Sequence, residues 1–310
     1  SEYLSDALRT GRVRLVQDTI SNTALMKDLL KGVDLVVHAA AESHVDNSYK
    51  DVRPFLADNI QGTISILDAA VANDVDLFVY ISTDEVYGES ADRDLSDAEP
   101  LNPMNPYAAS KASAEMFVRA YTASHGLRTR ISRANNIFGT RQYPEKLIPK
   151  LICDAISGTD FHVHGQGTAI RSFLHVSDFC EALHHMINYG VDGEVYNVPA
   201  LSEYTVMDVV GIVCAEMEVE PDSFVRFGPD RPHNDCRYGV CGQKLLGLGW
   251  EPTRSLEDGI GELVTWYRDN LDLYFDLQEP EVMEPAIWRF AKAMKGLRKG
   301  GSTHPSPTIN

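Results

Sequence analysis

A buried strand that ends in a cluster of polar side chains is predicted at Leu77-Phe78-Val79-Tyr80-Ile81-Ser82-Thr83-Asp84-Glu85-Val86-Tyr87-Gly88. The run from residue 77 to residue 81 is apolar without interruption and rich in β-branched and aromatic side chains, which is typical of a buried strand. Open α/β sheets bind ligands at the carboxyl ends of such strands. The polar residues at 82–85 therefore mark a candidate ligand site.

A predicted helix that follows about twenty residues later places a tyrosine and a lysine on one face. Tyr107 and Lys111 are four residues apart in a segment rich in Ala, Lys, Glu and Met. An ammonium near a phenol favours the phenolate, so we expect a lowered pKa for Tyr107. Tyr107 is then a candidate general base, and Thr83 offers a hydroxyl to the same substrate oxygen. Asp84 and Glu85 supply two adjacent carboxyls for a second proton transfer.

Strand and helix patterns alternate through the first part of the chain. Short strands are predicted at residues 12–16 and 34–38, and helices at 23–30 and 59–75. Continuous apolar strands that alternate with helices indicate an α/β fold with a doubly wound parallel sheet. The small residues at 39–41 would let a ligand approach the backbone closely.

Composition limits the functional classes. The chain has 310 residues, 44% hydrophobic and 24% charged, as is usual for a globular protein. Its formal charge of −17 argues against nonspecific nucleic-acid binding, which needs a cationic face. The five cysteines show no Cys-x-x-Cys pair, so neither a disulfide framework nor a metal site is predicted. Because no signal-peptide pattern and no run of about 18 apolar residues occur, we predict a soluble cytoplasmic protein without a membrane span.

The polar strand end and the Tyr-x-x-x-Lys helix together resemble the extended short-chain dehydrogenase/reductases. The triplet Thr83-Asp84-Glu85 is similar to that of the nucleotide-sugar 4,6-dehydratases within that family. The resemblance covers about residues 10 to 270 and implies NAD as cofactor and a nucleotide sugar as substrate. It also implies a homodimer built from helices near residues 59–75 and 107–123.

The same resemblance divides the chain into three parts. We predict a Rossmann-type NAD-binding domain in residues 1–140, to which strands within 169–198 return, and a smaller, mainly nucleotide-sugar-binding lobe in 141–270. The tail, residues 271–310, lies outside the resemblance. Residues 283–297 have the pattern of a basic amphipathic helix, and the last ten residues have the composition of a disordered segment.

The glycine-rich turn of a dinucleotide-binding fold does not occur in this sequence. Such a fold opens with a strand, a turn of the Gly-x-x-Gly-x-x-Gly type and an acidic residue about twenty positions later. The first glycine here is Gly11, and that pattern is absent. By comparison with the family, about forty residues are lacking at the amino end. They would contain the first strand, the glycine-rich turn, the first helix and the second strand. The sequence is therefore expected to be a fragment of a longer product or a chain that has lost cofactor binding.

The resemblance implies a role for each candidate site residue. The implied catalytic residues are Thr83, Asp84, Glu85, Tyr107 and Lys111. The implied cofactor contacts are Asp18, Thr19, Ala39, Ala40, Ala41, Glu42, Tyr107 and Lys111. The implied substrate contacts are Ser43, Asn136, Glu145, Lys146, Leu147, Arg171, Arg231 and His233.

The implied reaction converts dTDP-glucose to its 4-keto-6-deoxy product and water, with transient hydride transfer to NAD. Tyr107 acts at the C4 hydroxyl, Glu85 removes the C5 proton and Asp84 protonates the departing C6 hydroxyl. UDP-glucose is a second candidate substrate. The phenylalanine at position 173 resembles the eukaryotic-type dehydratases, which include UDP-glucose enzymes. Two different functions stay open: a related epimerase or decarboxylase, which does not need the carboxyl pair, and a non-catalytic binding subunit.

Overall fold

The computed structural model describes residues 4–90, 92–231 and 233–275, in which strands and helices alternate. The strands are β1 (Leu35–His38), β2 (Leu77–Thr83), β3 (Thr129–Ala134), β4 (Asn136–Phe138), β5 (Phe161–His164), β6 (Ile170–His175), β7 (Val195–Val198), β8 (Glu203–Thr205) and β9 (Val225–Gly228). The helices are α1 (Ser5–Arg9), α2 (Thr23–Leu29), α3 (Val45–Lys50), α4 (Arg53–Phe55), α5 (Thr63–Ala72), α6 (Pro106–His125), α7 (Leu147–Ser157), α8 (Val176–Tyr189), α9 (Val206–Met217), α10 (Gln243–Leu246), α11 (Leu256–Asn270) and α12 (Asp272–Phe275). A π-helical segment, Leu56–Gly62, joins α4 to α5.

A four-stranded parallel sheet with the order β1-β2-β3-β7 forms the core of the first part. In β2, the side chains of Phe78, Val79 and Tyr80 are almost fully buried, as expected for a strand covered on both faces. Helices α2, α5 and α6 contribute to the apolar cluster on one face, and α8 contributes to the cluster on the other. The predicted α/β class and doubly wound parallel sheet are confirmed.

Two smaller sheets and three helices share a second apolar core. One sheet contains β4, β6 and β8, the other pairs β5 with β9, and helices α7, α9 and α11 pack in the same cluster. Of the strands within 169–198 that are predicted to return to the main sheet, β7 does so, whereas β6 pairs with β4 and β8. The place beside β3 is taken by β7, whose residues are all buried. The domain boundaries near residues 140 and 270 stay predictions.

The strand predicted at Arg12 to Val16 is not formed. These residues have no regular structure and are exposed, including the apolar side chains of Val13 and Leu15. A strand needs a neighbour that completes its backbone hydrogen bonds, and in the described part of the chain β1 pairs with β2 alone. Leu35 and Val37 of β1 are accordingly exposed.

None of the helices in the described ranges combines the length and apolar character needed to cross a membrane. Of the tail, only residues 271–275 are described, and they include the short helix α12. The basic helix predicted at 283–297 and the disordered end lie outside the described residues. The cytoplasmic location stays a prediction.

Candidate active site

A cavity of about 460 Å³ lies at the carboxyl end of the main sheet. Its walls come from the ends of β1 and β2, the start of α6, the segment before α7, strand β6, Arg231 and the segment 233–238. The predicted site residues that line it are Ala39, Ala41, Ser43, Thr83, Glu85, Tyr107, Lys111, Asn136, Glu145, Lys146, Leu147, Arg171, Arg231 and His233. Those that do not line it are Asp18, Thr19, Ala40, Glu42 and Asp84.

Helix α6 carries Tyr107 and Lys111 into this cavity. The helix begins after Asn105, whose side-chain oxygen accepts a hydrogen bond from the backbone N–H of Ala108 at 2.8 Å. Pro106 occupies the first helical position, where its missing N–H is not needed. An Asn-Pro start of this kind is a strong helix signal, and it places Tyr107 in the first turn.

The surroundings of Tyr107 disfavour the predicted phenolate. Burial is the largest cause that raises the pKa of Tyr107, followed by the charges of Glu85 and Asp84, whereas the Thr83 hydroxyl lowers it. The expected lowering of the pKa of Tyr107 by Lys111 is therefore wrong for this structure. Burial also lowers the pKa of Lys111, to about 7, and an ammonium that is only partly populated at neutral pH stabilises a phenolate less.

The Lys111 side chain is held between the sheet and its own helix. Its Nζ donates a hydrogen bond to the carbonyl oxygen of Ile81 at 2.6 Å and lies 4.4 Å from the centre of the Tyr80 ring. Glu115, one helical turn further on, raises the pKa of Lys111 against the effect of burial. Glu115 in turn forms a fully buried ion pair with Arg133 of β3. The position of Lys111 thus depends on β2 and α6 together.

Asp84 lies behind the cavity wall and is almost fully buried. Thr83 Oγ1 donates a hydrogen bond to its Oδ1 at 3.1 Å, and Asn135 Nδ2 donates one to its Oδ2 at 2.7 Å. Burial raises the pKa of Asp84 to about 7, and the charge of Glu85 contributes less.

Glu85 follows Asp84 in a single turn of 3-10 helix, Asp84–Tyr87, and faces the cavity. Its Oε2 accepts a hydrogen bond from Asn105 Nδ2 at 2.9 Å. Burial raises the pKa of Glu85, while the hydrogen bond from Asn105 and the charge of Arg171 lower it. Of the two neighbouring carboxyls, one therefore lies on the cavity surface and the other inside the wall.

Arg171 of β6 is fixed by the segment that follows β9. It donates hydrogen bonds to the carbonyl oxygen of Asp235 and to Oδ1 of Asn234, each at 2.9 Å. Its guanidinium lies 4.9 Å from the centre of the Tyr238 ring. These contacts hold a permanent positive charge beside the cavity.

Two further basic side chains face the same side of the cavity. Arg231 Nη2 donates a hydrogen bond to Asp46 Oδ2 at 3.0 Å, and Lys146 Nζ donates one to the carbonyl oxygen of Ser43 at 2.6 Å. Together with Arg171, they make this side of the cavity suited to an anionic group. His233, also on this wall, lies with Nε2 3.0 Å from Asp235 Oδ1.

The end of β1 also contributes to the cavity wall, where Ala39 and Ala41 leave room close to the backbone. This loop is clamped by Asn59 of the π-helical segment. Asn59 Oδ1 accepts a hydrogen bond from the N–H of Glu42 at 2.8 Å, and its Nδ2 donates to the Glu42 carbonyl at 2.9 Å and to Ser110 Oγ at 2.8 Å. Small side chains at the end of a parallel strand fit a dinucleotide that runs along this edge of the sheet.

Asp18 and Thr19 are not on the cavity wall, and Asp18 is exposed. Their mutual contact is local, since the Thr19 N–H donates to Asp18 Oδ1 at 2.8 Å. The proposed contacts of Asp18, Thr19, Ala40 and Glu42 with the cofactor stay predictions.

Three asparagines that support the site were not singled out from the sequence. Asn105 holds Glu85, Asn135 holds Asp84, and Asn59 holds the loop after β1. The Asn-Pro helix start could have drawn attention to Asn105. For Asn59 and Asn135 the partners lie far away in the chain, so no local pattern marks them.

The family model described as "NAD dependent epimerase/dehydratase family" matches residues 2–199. The chain is 42% identical over 254 residues to the low-salt glycan biosynthesis protein Agl12 of Haloferax volcanii, covering 82% of each chain. It is 39% identical over 291 residues to a trifunctional UDP-glucose 4,6-dehydratase/UDP-4-keto-6-deoxy-D-glucose 3,5-epimerase/UDP-4-keto-L-rhamnose-reductase of Arabidopsis thaliana, covering 92% of this chain and 44% of that protein.

Among solved structures, the chain is similar to DesIV, a dTDP-glucose 4,6-dehydratase from Streptomyces venezuelae crystallised with NAD and TYD. The TM-score is 0.84 at 37% sequence identity, and the match covers 86% of this chain and 83% of that one. These findings confirm the predicted family, the predicted enzyme class and NAD as the cofactor. The chain belongs to the NAD-dependent epimerase/dehydratase family.

Proposed function

We propose that the chain acts as a nucleotide-sugar 4,6-dehydratase with dTDP-glucose as its substrate. The observation that carries this proposal is the turn Asp84-Glu85, which places the Glu85 carboxyl on the surface of the cavity that also receives Tyr107 and Lys111, and the Asp84 carboxyl in the wall next to it. An enzyme that only oxidises or epimerises C4 needs the tyrosine and lysine alone. The second proton transfer, at C5 and C6, is the step that uses two carboxyls.

The first step is removal of the C4 hydroxyl proton by Tyr107, while the Thr83 hydroxyl is hydrogen-bonded to the same substrate oxygen. Because burial and two carboxyls raise the pKa of Tyr107, this proton transfer requires Lys111 in its charged form. Ala39 and Ala41 at the end of β1, with Tyr107 and Lys111, would hold the NAD, and the bound cofactor would supply an acceptor for the C4 hydride and the same hydride for C6, without net oxidation. The new C4 ketone acidifies the hydrogen at C5.

The second step is loss of water between C5 and C6. Glu85 takes the C5 proton, and the C6–O bond breaks as the C5=C6 double bond forms. Asp84 supplies the proton for the departing C6 hydroxyl by way of Thr83, whose hydroxyl is hydrogen-bonded to Asp84 and lines the cavity. A raised pKa of about 7 keeps Asp84 partly protonated near neutral pH, which is what a general acid requires. Reprotonation at C5 by Glu85 returns this carboxyl to its initial state. The proton that Tyr107 took from the C4 hydroxyl is released, and Asp84 takes up one proton in place of the one that left with the water, so that the cycle closes.

The basic wall of the cavity is proposed to hold the diphosphate of the substrate. Arg171, Arg231 and Lys146 face it from three different segments, and a planar guanidinium can bind a phosphate with two parallel hydrogen bonds. Similarity to a structure crystallised with TYD supports the thymidine nucleotide. Similarity to the Arabidopsis protein, which is named as a UDP-glucose dehydratase, and the presence of Phe173 favour UDP-glucose as a second candidate.

We also propose that the protein forms a homodimer through the helices near residues 59–75 and 107–123. Within the second of these, α6 exposes the large apolar side chains of Met116 and Phe117, and Leu56 is exposed shortly before the first. Burial of such side chains against a second copy would remove them from water. Size-exclusion chromatography with light scattering, compared between the wild-type chain and Phe117→Glu, tests this proposal. A monomer in both cases contradicts it.

The experiment that tests the activity is incubation of the chain with NAD and either dTDP-glucose or UDP-glucose. The 4-keto-6-deoxy product is read from its absorbance in alkali. We expect product from the wild-type chain and none from Glu85→Gln, which keeps the shape of the side chain and removes the base. A C4 epimer formed equally well by both chains would support an epimerase instead, and failure to bind any dinucleotide would support the binding subunit.

A further inference from the structure

One side-chain amide connects the carboxyl that faces the cavity with the helix that carries the tyrosine. Asn105 is 7% exposed, and each half of its amide group is used. Its Oδ1 accepts from the N–H of Ala108 at 2.8 Å, which caps helix α6, and its Nδ2 donates to Glu85 Oε2 at 2.9 Å. Glu85 follows β2 and Ala108 belongs to α6, so the amide bridges two separate elements.

The surroundings of Glu85 make this bridge important. Among the described residues, Asn105 is the side chain that donates a hydrogen bond to the Glu85 carboxylate. Other charged or titratable groups either shift the pKa of Glu85 through their charge or have their own pKa shifted by the charge of Glu85. These are Asp84 on its own turn, Tyr107 on α6, Arg171 on β6, Lys146 before α7, Tyr49 on α3, and Asp235 and Tyr238 after β9.

We infer that Asn105 is a positioning residue for proton removal at C5, because its amide fixes the Glu85 carboxylate relative to the helix start that presents Tyr107. This inference rests on the proposed function. Tyr107 is two residues after the cap, so the positions of both bases, Glu85 and Tyr107, depend on the side chain of Asn105. The two proton transfers concern neighbouring carbons of one sugar ring, and misplacement of a base by about 1 Å can cost about a hundredfold in rate.

The donated N–H also selects the useful protonation state. An amide N–H can only donate to a carboxyl oxygen that offers a lone pair, and it stabilises the ionised carboxylate over the acid. Only the ionised form of Glu85 can act as a base. Asn105 therefore opposes the effect of burial, which raises the pKa of Glu85.

Substitutions at position 105 can separate the cap from the donor. Asn105→Asp and Asn105→Ser keep an oxygen that caps the helix, but neither has the amide N–H, and Asp adds a negative charge beside Glu85. Asn105→Ala removes both contacts. Ser255→Ala serves as the matched control, because Ser255 caps α11 in the same way and does not line the cavity.

For each variant, kcat and KM are measured over a pH series with the preferred sugar nucleotide, with the kinetic isotope effect of a deuterium at C5 and the melting temperature. We expect kcat of Asn105→Asp and Asn105→Ser to fall by about tenfold or more near neutral pH, with KM changed by less than about twofold. The acidic limb of the kcat profile of Asn105→Asp should move to higher pH, and its C5 isotope effect should rise. Ser255→Ala should lower the melting temperature but leave kcat, its pH profile and the C5 isotope effect unchanged.

Two results would overturn the inference: a kcat of Asn105→Asp and Asn105→Ser within about twofold of the wild type, or losses that follow the melting temperature as they do in Ser255→Ala. A second measurement needs no substrate. An NMR titration of glutamate labelled at the carboxyl carbon, with Glu85→Gln to assign the signal, should give a higher pKa for Glu85 in Asn105→Asp. If the wild-type chain forms no product, the proposed function fails, and an unchanged titration in Asn105→Asp would separately reject the contact.

Discussion

Replacement of Asp84 by asparagine should stabilise the fold while it abolishes dehydration. The side chain is almost fully buried, and its hydrogen-bond partners among the described residues are the neutral side chains of Thr83 and Asn135. An amide fits the same contacts: its oxygen can accept from Asn135 Nδ2, and its N–H can donate to Thr83 Oγ1. The substitution therefore removes a buried titratable group without leaving a polar partner unsatisfied.

The size and sign of the effect follow from the pKa of Asp84. Burial raises this pKa from 3.8 to about 7, so the folded state favours the protonated acid. The cost of ionisation is absent below the unfolded pKa of 3.8, grows as the pH rises, and is complete above about 7. At about 1.4 kcal/mol for each tenfold difference in proton affinity, the cost is about 1.5 kcal/mol near pH 5 and about 4 kcal/mol near pH 8.

Urea unfolding of the wild-type chain and of Asp84→Asn, followed by circular dichroism at both pH values, measures this difference. Asp178→Asn is the matched control, since Asp178 is also fully buried but accepts hydrogen bonds from Thr253 and Arg254 at both oxygens. In Asp178→Asn the new side-chain N–H would face hydrogen-bond donors, and we expect the free energy of unfolding to fall by about 2–4 kcal/mol. The reasoning is refuted if Asp84→Asn is no more stable than the wild type near pH 8, or if its advantage does not change with pH.

Two further predictions concern supports of the site, and a third concerns the net charge of the chain. Gly88→Ala should lower the free energy of unfolding by more than about 2 kcal/mol, because Gly88 has φ +75° and a Cβ would lie 2.4 Å from the Asn102 carbonyl oxygen. Gly126→Ala is the control in the same denaturation assay. Gly126 has φ +69° but open space around it, so we expect a smaller loss of stability. Glu115→Ala should cost about 3–5 kcal/mol in that assay, because it leaves Arg133 charged and unpaired in the interior; a cost no larger than that of an exposed pair would contradict this. Because the chain carries a formal charge of −17, its melting temperature should rise when KCl is increased from about 0.05 M to about 0.5 M, and a fall would contradict the role of self-repulsion.

The elements nearest the site could be predicted because their signals are local. The apolar run of β2 and the Asn-Pro start of α6 act within a few residues, and both elements form where the sequence indicates them. The segment 12–16 has a strand pattern, but a pattern cannot supply a neighbouring strand. Similarly, β6 has the composition of a sheet strand, yet its pairing with β4 rather than with the main sheet depends on contacts between distant parts of the chain.

The residues of the site could be predicted, but the surroundings that decide their chemistry could not. Strand ends and one helix start bring Thr83, Glu85, Tyr107 and Lys111 to one cavity, as the spacing of the motifs indicates. The burial of Asp84 inside the wall is a property of the packed fold. No sequence pattern reports how much solvent a side chain loses, and solvent loss is the first cause of each large pKa change in this site.

This common cause also explains why the expectation for Tyr107 is wrong. The argument from spacing takes Lys111 as an ammonium, but burial lowers the pKa of Lys111 to about 7 and so weakens the charge that would stabilise the phenolate. An anionic ligand placed beside Lys111 would favour its charged form and raise this pKa again. The charged lysine would in turn lower the pKa of Tyr107. The spacing of Tyr107 and Lys111 therefore indicates the right pair of residues, while their burial decides which of the two carries a charge in the free chain.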